Sequence, residues 1–415
     1  MIPTPLHNPS LLPQPRLNRS PPSAKGLETP FSILFMSASV FFPLDKQQIV
    51  GVIGGGQLGR MLALAARRMG VRSVVWTGGL EAPAVEVADE VIDKPFDDPQ
   101  ALLDFCEKAT VATVEFENIP LATMRGVAEK ISLFPSPEAV GICQNREKEK
   151  NFLRENGIPC TNFWVIETLE DLTAAMAELN GPGVLKTAAF GYDGKGQLKI
   201  EGGENPADVW ENFGKARAVL EAWVPFDKEI SVMVVRSADG EVRTYDPAEN
   251  RHRKHILDVS IVPARISPET SDNARKTATL VAEALDYQGI LGVEFFVNHD
   301  GSLVVNEMAP RPHNSGHHTL DACACSQFEQ QLRVVLGLPL GSTKLTSPCV
   351  MLNLLGDFWP SETTPPDWTP LLETEAATLH LYGKRRAIGM RKMGHATLLG
   401  ADALAKAEAL KTGWL

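Results

Sequence analysis

The chain is poor in the features that would mark it for a special environment. Six cysteines are spread over its 415 residues, and no two stand in C-x-x-C spacing. Cys323 and Cys325 are two apart, which suits neither a zinc knuckle nor a redox pair, and Cys106, Cys143, Cys160 and Cys349 are scattered. The six read as free thiols of a reducing compartment, so a cytoplasmic protein is expected. Long apolar runs are missing as well. The best, Phe31 to Met36, falls far below the roughly 18 residues needed to cross a bilayer, so no membrane partner is expected. Positive charge is in deficit: 40 Lys and Arg against 51 Asp and Glu leave a formal net charge of -11. That speaks against nucleic acid or an anionic membrane surface as a partner, since both demand a basic face. No internal repeat is present.

Apolar residues are plentiful, at 44% of the chain against 22% charged. That is enough for real cores, and the length predicts two or three compact units. Proline is unevenly placed. Pro3, Pro5, Pro9, Pro13, Pro15, Pro21, Pro22 and Pro30 deny residues 1–46 a helix or a central strand, so this extension is expected to be disordered. Arg16, Arg19 and Lys25, with no acid before Glu28, also fit a transit peptide, and a start at Met36 is a third reading.

From Gln48 the pattern becomes α/β. Strands are expected at Ile49–Ile53, Val71–Trp76 and Val111–Phe116, with helices at Leu58–Met69, stopped by Gly70, and Ala101–Lys108 between them. This alternation predicts a parallel sheet. A helix over Arg146–Asn156 leads into a second unit with strands Gly183–Ala188, Gln197–Ile200 and Glu229–Arg236 and a helix Ser271–Leu285. A hairpin follows, Leu291–Val297 and Ser302–Glu307 about the turn Asn298-His299-Asp300-Gly301. Short strands at Val350–Leu355 and Ala376–Tyr382 mark a smaller tail.

Gly54-x-Gly56-x-x-Gly59, between a strand and a helix, fits the dinucleotide fingerprint. The second strand, however, ends Val75-Trp76-Thr77-Gly78 without the acid that would hold a ribose. The loop reads either as a phosphate-proximal turn at a helix N-terminus or as a tight turn with no ligand. Glu115, at the carboxyl end of a parallel strand, is placed to hold ribose hydroxyls.

Lys186 and the strand–loop–strand segment Gly191-Tyr192-Asp193-Gly194-Lys195-Gly196-Gln197 suit a glycine-rich flap over nucleotide phosphates, with Lys186 as point charge. It is no Walker loop, which requires a helix next. Glu221-Ala222-Trp223-Val224 could read an adenine edge, and Glu229 could accept from the ribose. The expected turn pairs Val297 with Ser302 and so Glu294 with Val305. Glu307 then lies diagonally on the same face, about 7–8 Å away. Two carboxylates on one face call for a hard cation such as magnesium. For Asn306 to be a ligand too, the strand would have to end or bulge there. Arg311 suits bidentate binding of phosphate or carboxylate. His313, titrating near neutrality, could orient or deprotonate an amine. The adjacent His317 and His318 lack zinc spacing.

Gly-Gly-Gly-Gln-Leu-Gly-Arg at 54–60, Glu-Phe-Glu-Asn at 115–118, Gly-Tyr-Asp-Gly-Lys-Gly-Gln at 191–197 and Asn-Glu-Met-Ala-Pro-Arg-Pro-His-Asn-Ser-Gly-His at 306–317 together resemble the 5-(carboxyamino)imidazole ribonucleotide synthases of the ATP-grasp superfamily. The likeness runs in the same order from Gln48 to Gly400. It implies a three-domain fold: a Rossmann-like domain over 47–143, an ATP-grasp domain over 144–342 with a lid over 157–222, and a small C-terminal domain over 343–415. It also implies a homodimer, ATP and magnesium as cofactors, and carboxylation of 5-aminoimidazole ribonucleotide with bicarbonate through carboxyphosphate. Arg146, Lys186, Gly191 to Gln197, Glu221 to Val224, Glu229, His252, Asn306 and Glu307 would face ATP. Glu294 and Glu307 would hold magnesium. Tyr192, Asp193, Arg311, His313 and Asn314 would face the imidazole ribonucleotide, and Lys384 and Arg391 its phosphate.

One stretch departs from the family. Where Arg-Pro-Gly-Arg-Lys is usual before Met-Gly-His, this chain has Ile388-Gly389-Met390-Arg391-Lys392, losing an arginine and a proline and with the proline a fixed φ. Two other readings stand beside this one. Another ATP-grasp ligase for a different amine would share the ATP half and differ at 311–318 and 384–395. A catalytically silent nucleotide-binding scaffold would not need Lys186, Glu294 and Glu307 together.

Overall fold

A computed structural model describes residues 47–189 and 196–414. The three readings of the 1–46 extension, and the roles expected for Gly191, Tyr192, Asp193, Gly194 and Lys195, lie outside the described residues.

The first unit is a five-stranded parallel sheet in the order Glu90–Ile92, Arg72–Trp76, Ile49–Ile53, Val111–Val114, Ser132–Phe134. Its first helix, Gln57–Arg68, buries Leu58, Met61, Leu62 and Ala66, an i, i+3, i+4, i+8 stripe. That stripe also meets Phe328, Leu332 and Val335 of the helix Gln327–Val335, so one core joins the first sheet to a later part of the chain. The third expected strand ends at Val114, two residues early, which frees Glu115 and Glu117 to leave the sheet end as side chains.

A second sheet is antiparallel, in the order Phe163–Ile166, Ala218–Ala222, Gly183–Thr187, Gln197–Ile200. Its covered face carries Ile166, Leu185 and Leu220 against Leu172, Ala175, Val209 and Trp210. Alternation sends Lys186 and Glu221 to the opposite face.

The third sheet has nine strands. Its path runs Leu303–Ala309, Gly289–Val297, Lys228–Arg236, Ala248–Arg253, Ile256–Val262, Cys349–Leu355, Lys392–Leu399, Ala377–Leu381, and Val242–Thr244 pairs off Lys228–Arg236. The strands of the C-terminal segment thus continue the sheet that carries the hairpin. Helix Pro268–Ala284 lays Ala274, Ala278, Val281 and Ala282 on Ile230, Val232, Val234, Leu291, Val293 and Phe295. It starts three residues before the expected Ser271, because Ser267 caps it through Thr270 N at 3.0 Å and Pro268 occupies its first turn, where no N–H is missed.

Candidate active site

Strand alternation puts apolar Ile230, Val232 and Val234 on the helix side, and therefore Glu229 and Ser231 on the other. Ser231 pairs across with Glu294, and Glu229 with Asn250. His252 is two residues on from Asn250, and its Nδ1 lies 2.9 Å from Glu229 Oε2. Burial would depress that imidazole, but the Glu229 carboxylate outweighs it and raises the pKa. One face of one sheet thus gathers Glu229, His252, Ser231, Asn250 and Glu294.

The hairpin corrects the expected register. Asn298 N donates to Ser302 O at 2.9 Å and Gly301 sits at φ +83°, so the loop holds three residues and Val297 pairs with Leu303. Phe295 then opposes Val305. A regular ladder would next place Glu307 opposite Val293, inside the apolar core. Instead the register shifts between Glu294 and Phe295: Asn306 is extra, and Glu294 faces Glu307 directly rather than Val305. The reason is packing, because Val305 and Met308 are both in the core and three residues apart, which alternation cannot deliver without a bulge.

The bulge builds a cation-shaped set of oxygens. Glu294 and Glu307 are cross-strand neighbours, and Asn306 Oδ1 is buried with no hydrogen-bond partner. Burial first, and repulsion from Glu307 second, push the Glu294 pKa far above the carboxylate range. Hard oxygen donors, like charges and an orphaned amide oxygen fit a magnesium-type ion. Arg146 Nη1 stands 3.5 Å from Glu307 Oε2.

On the face of the four-stranded sheet opposite its apolar core, Lys186 Nζ meets Glu221 Oε1 at 3.0 Å. Glu221 is 3% exposed, so its side chain is an internal anchor for cations and not a surface acid. Burial would raise its pKa, but Lys150 and Lys186 hold it down at about 2. Ala222 N and Trp223 N donate to Asn162 O and Pro182 O, at 2.9 and 3.0 Å, and Val224 O accepts from Phe226 N at 3.0 Å, so these groups are paired within the chain. Gly196 takes φ +69° just before the strand Gln197–Ile200.

Arg311 reaches the first unit. Arg311 is bidentate to Glu117: Nε pairs with Oε2, and Nη2 donates to Oε1 at 2.9 Å. The expected partner of this guanidinium is a phosphate or carboxylate, and within the chain it is the carboxylate of Glu117. Burial opposes ionisation of Glu117, and Arg311 overrides it, holding the carboxyl at about 2. His313 does not titrate near neutrality as expected. Burial above all, then Arg311, lower its pKa to about 3, so the ring is neutral. Its Nε2 lies 3.2 Å from Glu294 Oε1 and its Nδ1 2.9 Å from Ser315 Oγ. Ser315 Oγ reaches Ser231 Oγ at 2.7 Å, and Asn250 Nδ2 donates to Ser231 Oγ at 3.0 Å. His313 also packs so near Gly292 that a Cβ there would stand 2.9 Å from its own Cβ. Asn314 is buried with neither amide atom partnered.

The glycine loop of the first unit is filled from within. Gly56 N and Gly59 N donate to the two Glu115 oxygens at 2.8 and 2.9 Å, and a Cβ on Gly56 would stand 2.7 Å from Oε1. Whether the loop is read as a phosphate-proximal turn or as a tight turn with no ligand, its amides hold a carboxylate of the chain itself, and Glu115, expected to take ribose hydroxyls, uses both oxygens on the loop. Lys384 Nζ donates to Gln57 Oε1 at 2.6 Å, and Arg391 Nη2 to Glu81 Oε2 at 2.7 Å. Burial raises the Glu115 pKa against the pull of the Gly59 and Gly56 amides and, more weakly, of the Arg311 and Lys384 charges. A cavity of about 50 Å³ lies between Glu117, Arg311, Arg146, Glu149 and Glu307, room for a few waters or one small anion.

The sequence reading missed Lys150 and Glu149, both buried, and gave Glu117, Ser231, Asn250 and Ser315 no role. A signal existed for one of them. Arg146 and Lys150 are four apart on a helix and so share the face that Arg146 turns to the site.

Three family models match the chain: a ribonucleotide synthetase preATP-grasp domain at residues 47–144, an ATP-grasp domain at 151–328, and a phosphoribosylaminoimidazole carboxylase C-terminal domain at 349–409. The N5-carboxyaminoimidazole ribonucleotide synthase of Brucella melitensis is 45% identical over 356 residues, covering 85% of this chain and 97% of that one. A crystal structure of an N5-carboxyaminoimidazole ribonucleotide synthetase with ADP superposes with a TM-score of 0.82 at 41% identity, over 88% of this chain and 96% of that one. The Aspergillus clavatus N5-carboxyaminoimidazole synthase, solved with ADP and 5-aminoimidazole ribonucleotide, superposes with a TM-score of 0.79 at 30% identity, over 88% and 98% of the two chains.

Proposed function

The chain belongs to the N5-carboxyaminoimidazole ribonucleotide synthase family, and from that premise we propose how its residues divide the work. It is an ATP-dependent ligase of purine biosynthesis with an ATP-grasp fold. We propose magnesium as its cofactor, a cytoplasmic homodimer as its form, and domains at 47–143, 144–342 with a lid at 157–222, and 343–415.

Arg146 and Lys186 neutralise the ATP phosphates, Glu229 and the Glu221–Val224 segment take the nucleoside, and Asn306 and Glu307 close the phosphate end. Magnesium, held by Glu294, Glu307 and Asn306 Oδ1, would supply charge neutralisation at the phosphates. A bicarbonate oxygen bonds to the γ-phosphorus and ADP leaves, giving carboxyphosphate. Arg311 lines the small cavity together with Arg146 and suits that anion. The exocyclic amine of 5-aminoimidazole ribonucleotide then bonds to the carboxyl carbon, phosphate departs and the amine loses a proton. Asp193, His313 and Asn314 hold the amine and its ring in place. Proximity supplies much of the acceleration, because the amine is a weak nucleophile. Lys384 and Arg391 take the ribonucleotide phosphate. One observation carries this reading: residues 306–313 run without interruption from the carboxylate pair to Arg311 and His313, so the phosphate end of ATP and the acceptor share one segment.

The test is ADP release against a panel of amino-bearing ribonucleotides, with and without bicarbonate. We expect release coupled to an acid-labile carboxylated product with 5-aminoimidazole ribonucleotide and bicarbonate together. Equal coupling to another amine would move the chain to a different ATP-grasp ligase.

The phosphate anchors make a second expectation. Burial, then Arg391 and Lys392, depress Lys384 to about 8. Its charge is present below that pH and lost above it, so the Michaelis constant for the ribonucleotide rises as pH climbs through 8. In Lys384→Met the constant is already high and the rise is gone. Arg391→Ala raises it roughly tenfold or more, the worth of one charge-assisted hydrogen bond, and leaves that for ATP near wild type. Equal effects on both substrates would remove Arg391 from the acceptor site.

A further inference from the structure

Two consecutive side chains of the helix Arg146–Glu155 grip the backbone of the bulge. Lys150, with no exposed surface, donates from Nζ to Asn306 O at 2.8 Å. Glu149, 2% exposed, accepts from Met308 N at 2.5 Å. The two contacts flank Glu307, one holding a carbonyl before it and one an amide after it. Lys150 Nζ also lies 3.4 Å from Glu221 Oε2, and the other oxygen of Glu221 pairs with Lys186. A single buried ammonium therefore touches both the hairpin and the strand Ala218–Ala222 of the four-stranded sheet.

Packing of Val305 and Met308 requires one extra residue in the strand but does not say where its peptide points. A bulge takes backbone groups out of the ladder, and each then needs another partner. Lys150 supplies that partner for Asn306 O and so sets the peptide plane. The plane in turn sets the directions of the Asn306 amide oxygen and the Glu307 carboxylate. A compact, three-donor ammonium can serve Asn306 O and Glu221 together.

We propose that Lys150, aided by Glu149, is a positioning residue that holds the Asn306 bulge so that Glu307 stands opposite Glu294, and that it ties this carboxylate pair to the Glu221–Lys186 anchor of the nucleotide. The inference rests on the reading of Glu294 and Glu307 as the metal pair.

Manganese(II), read as the free ion by electron paramagnetic resonance in the presence of ADP, is the probe. Lys150→Met is expected to weaken manganese binding at least tenfold and to raise the magnesium concentration needed for half-maximal turnover. The Michaelis constant for the ribonucleotide should stay near wild type, and Lys150→Arg should recover most of the affinity. A lowered melting temperature with unchanged manganese affinity would reduce Lys150 to a packing role and overturn the inference. Should Lys150→Met not fold, Lys150→Gln takes its place, since it loses the charge and the reach to Asn306 O together, and the same two outcomes decide. Glu307→Gln separates the layers. If it binds manganese like wild type, the metal reading fails. If it loses manganese while the Lys150 variants keep it, only the bulge inference fails.

Discussion

Glu307→Gln is expected to lose turnover by on the order of a thousandfold or more, because a metal clamp on a transferring phosphoryl group contributes several kcal/mol and each 1.36 kcal/mol is a factor of about ten. The fold should survive. The two side chains have nearly the same shape, and the wild-type carboxylate is a liability without a cation. Burial and Glu307 raise the Glu294 pKa in the folded chain. A carboxyl raised on folding lends stability below its unfolded value, and that contribution is lost as pH rises through the folded value. At neutral pH, above the unfolded value and below the folded one, the metal-free wild type bears the cost of keeping Glu294 protonated, and the variant lacks the part of that cost that Glu307 imposes. In chelator, the melting temperature of Glu307→Gln should equal or exceed that of wild type, and magnesium with ADP should raise only the wild type. Near-wild-type turnover in the variant would sink the assignment of the metal pair.

Arg311→Met should cost both stability and carboxyl transfer, and a second substitution should separate the two. Removing the guanidinium strands Glu117 without its bidentate partner. Breaking a buried pair costs about 3–5 kcal/mol, and the lower end applies because the Glu117 side chain keeps 26% of its surface exposed. Glu117→Gln in the same chain removes the stranded charge and should restore most of the stability. Turnover should not return, since a donor aimed at the developing charge is worth roughly a hundred- to a thousandfold. ATP affinity by calorimetry should stay close to wild type in both variants. A double variant that regains turnover with its stability would make Arg311 a structural partner of Glu117 and nothing more. Glu117, held at about 2 by Arg311, adds a pH signature: its share of stability is present above the unfolded carboxyl value and lost as pH falls towards 2. That loss should be missing from Arg311→Met.

The sequence alone determined what depends on neighbours along the chain. The strands at Ile49, Gly183, Lys228 and Gly289 and the helix after Gly56 follow from periodicities of two and 3.6, which are local. The hairpin, the polar run at 306–317 and the family likeness were likewise legible, because each sits in one short stretch. Tertiary structure decided the rest, because the deciding partner is remote or the deciding force is packing. Nothing near the glycine loop says that its amides will take Glu115, which lies 59 and 56 residues beyond Gly56 and Gly59. Lys384 and Arg391 find Gln57 and Glu81 across 327 and 310 residues. The facing of Glu294 and Glu307 turns on two one-residue shifts: the turn, which pairs Val297 with Leu303 and not with Ser302, and the extra Asn306, which the burial of Val305 with Met308 requires. Side-chain chemistry is written in the local code, but a register shift of a single residue moves every later side chain to the other face, and only the packed core knows which face is inside.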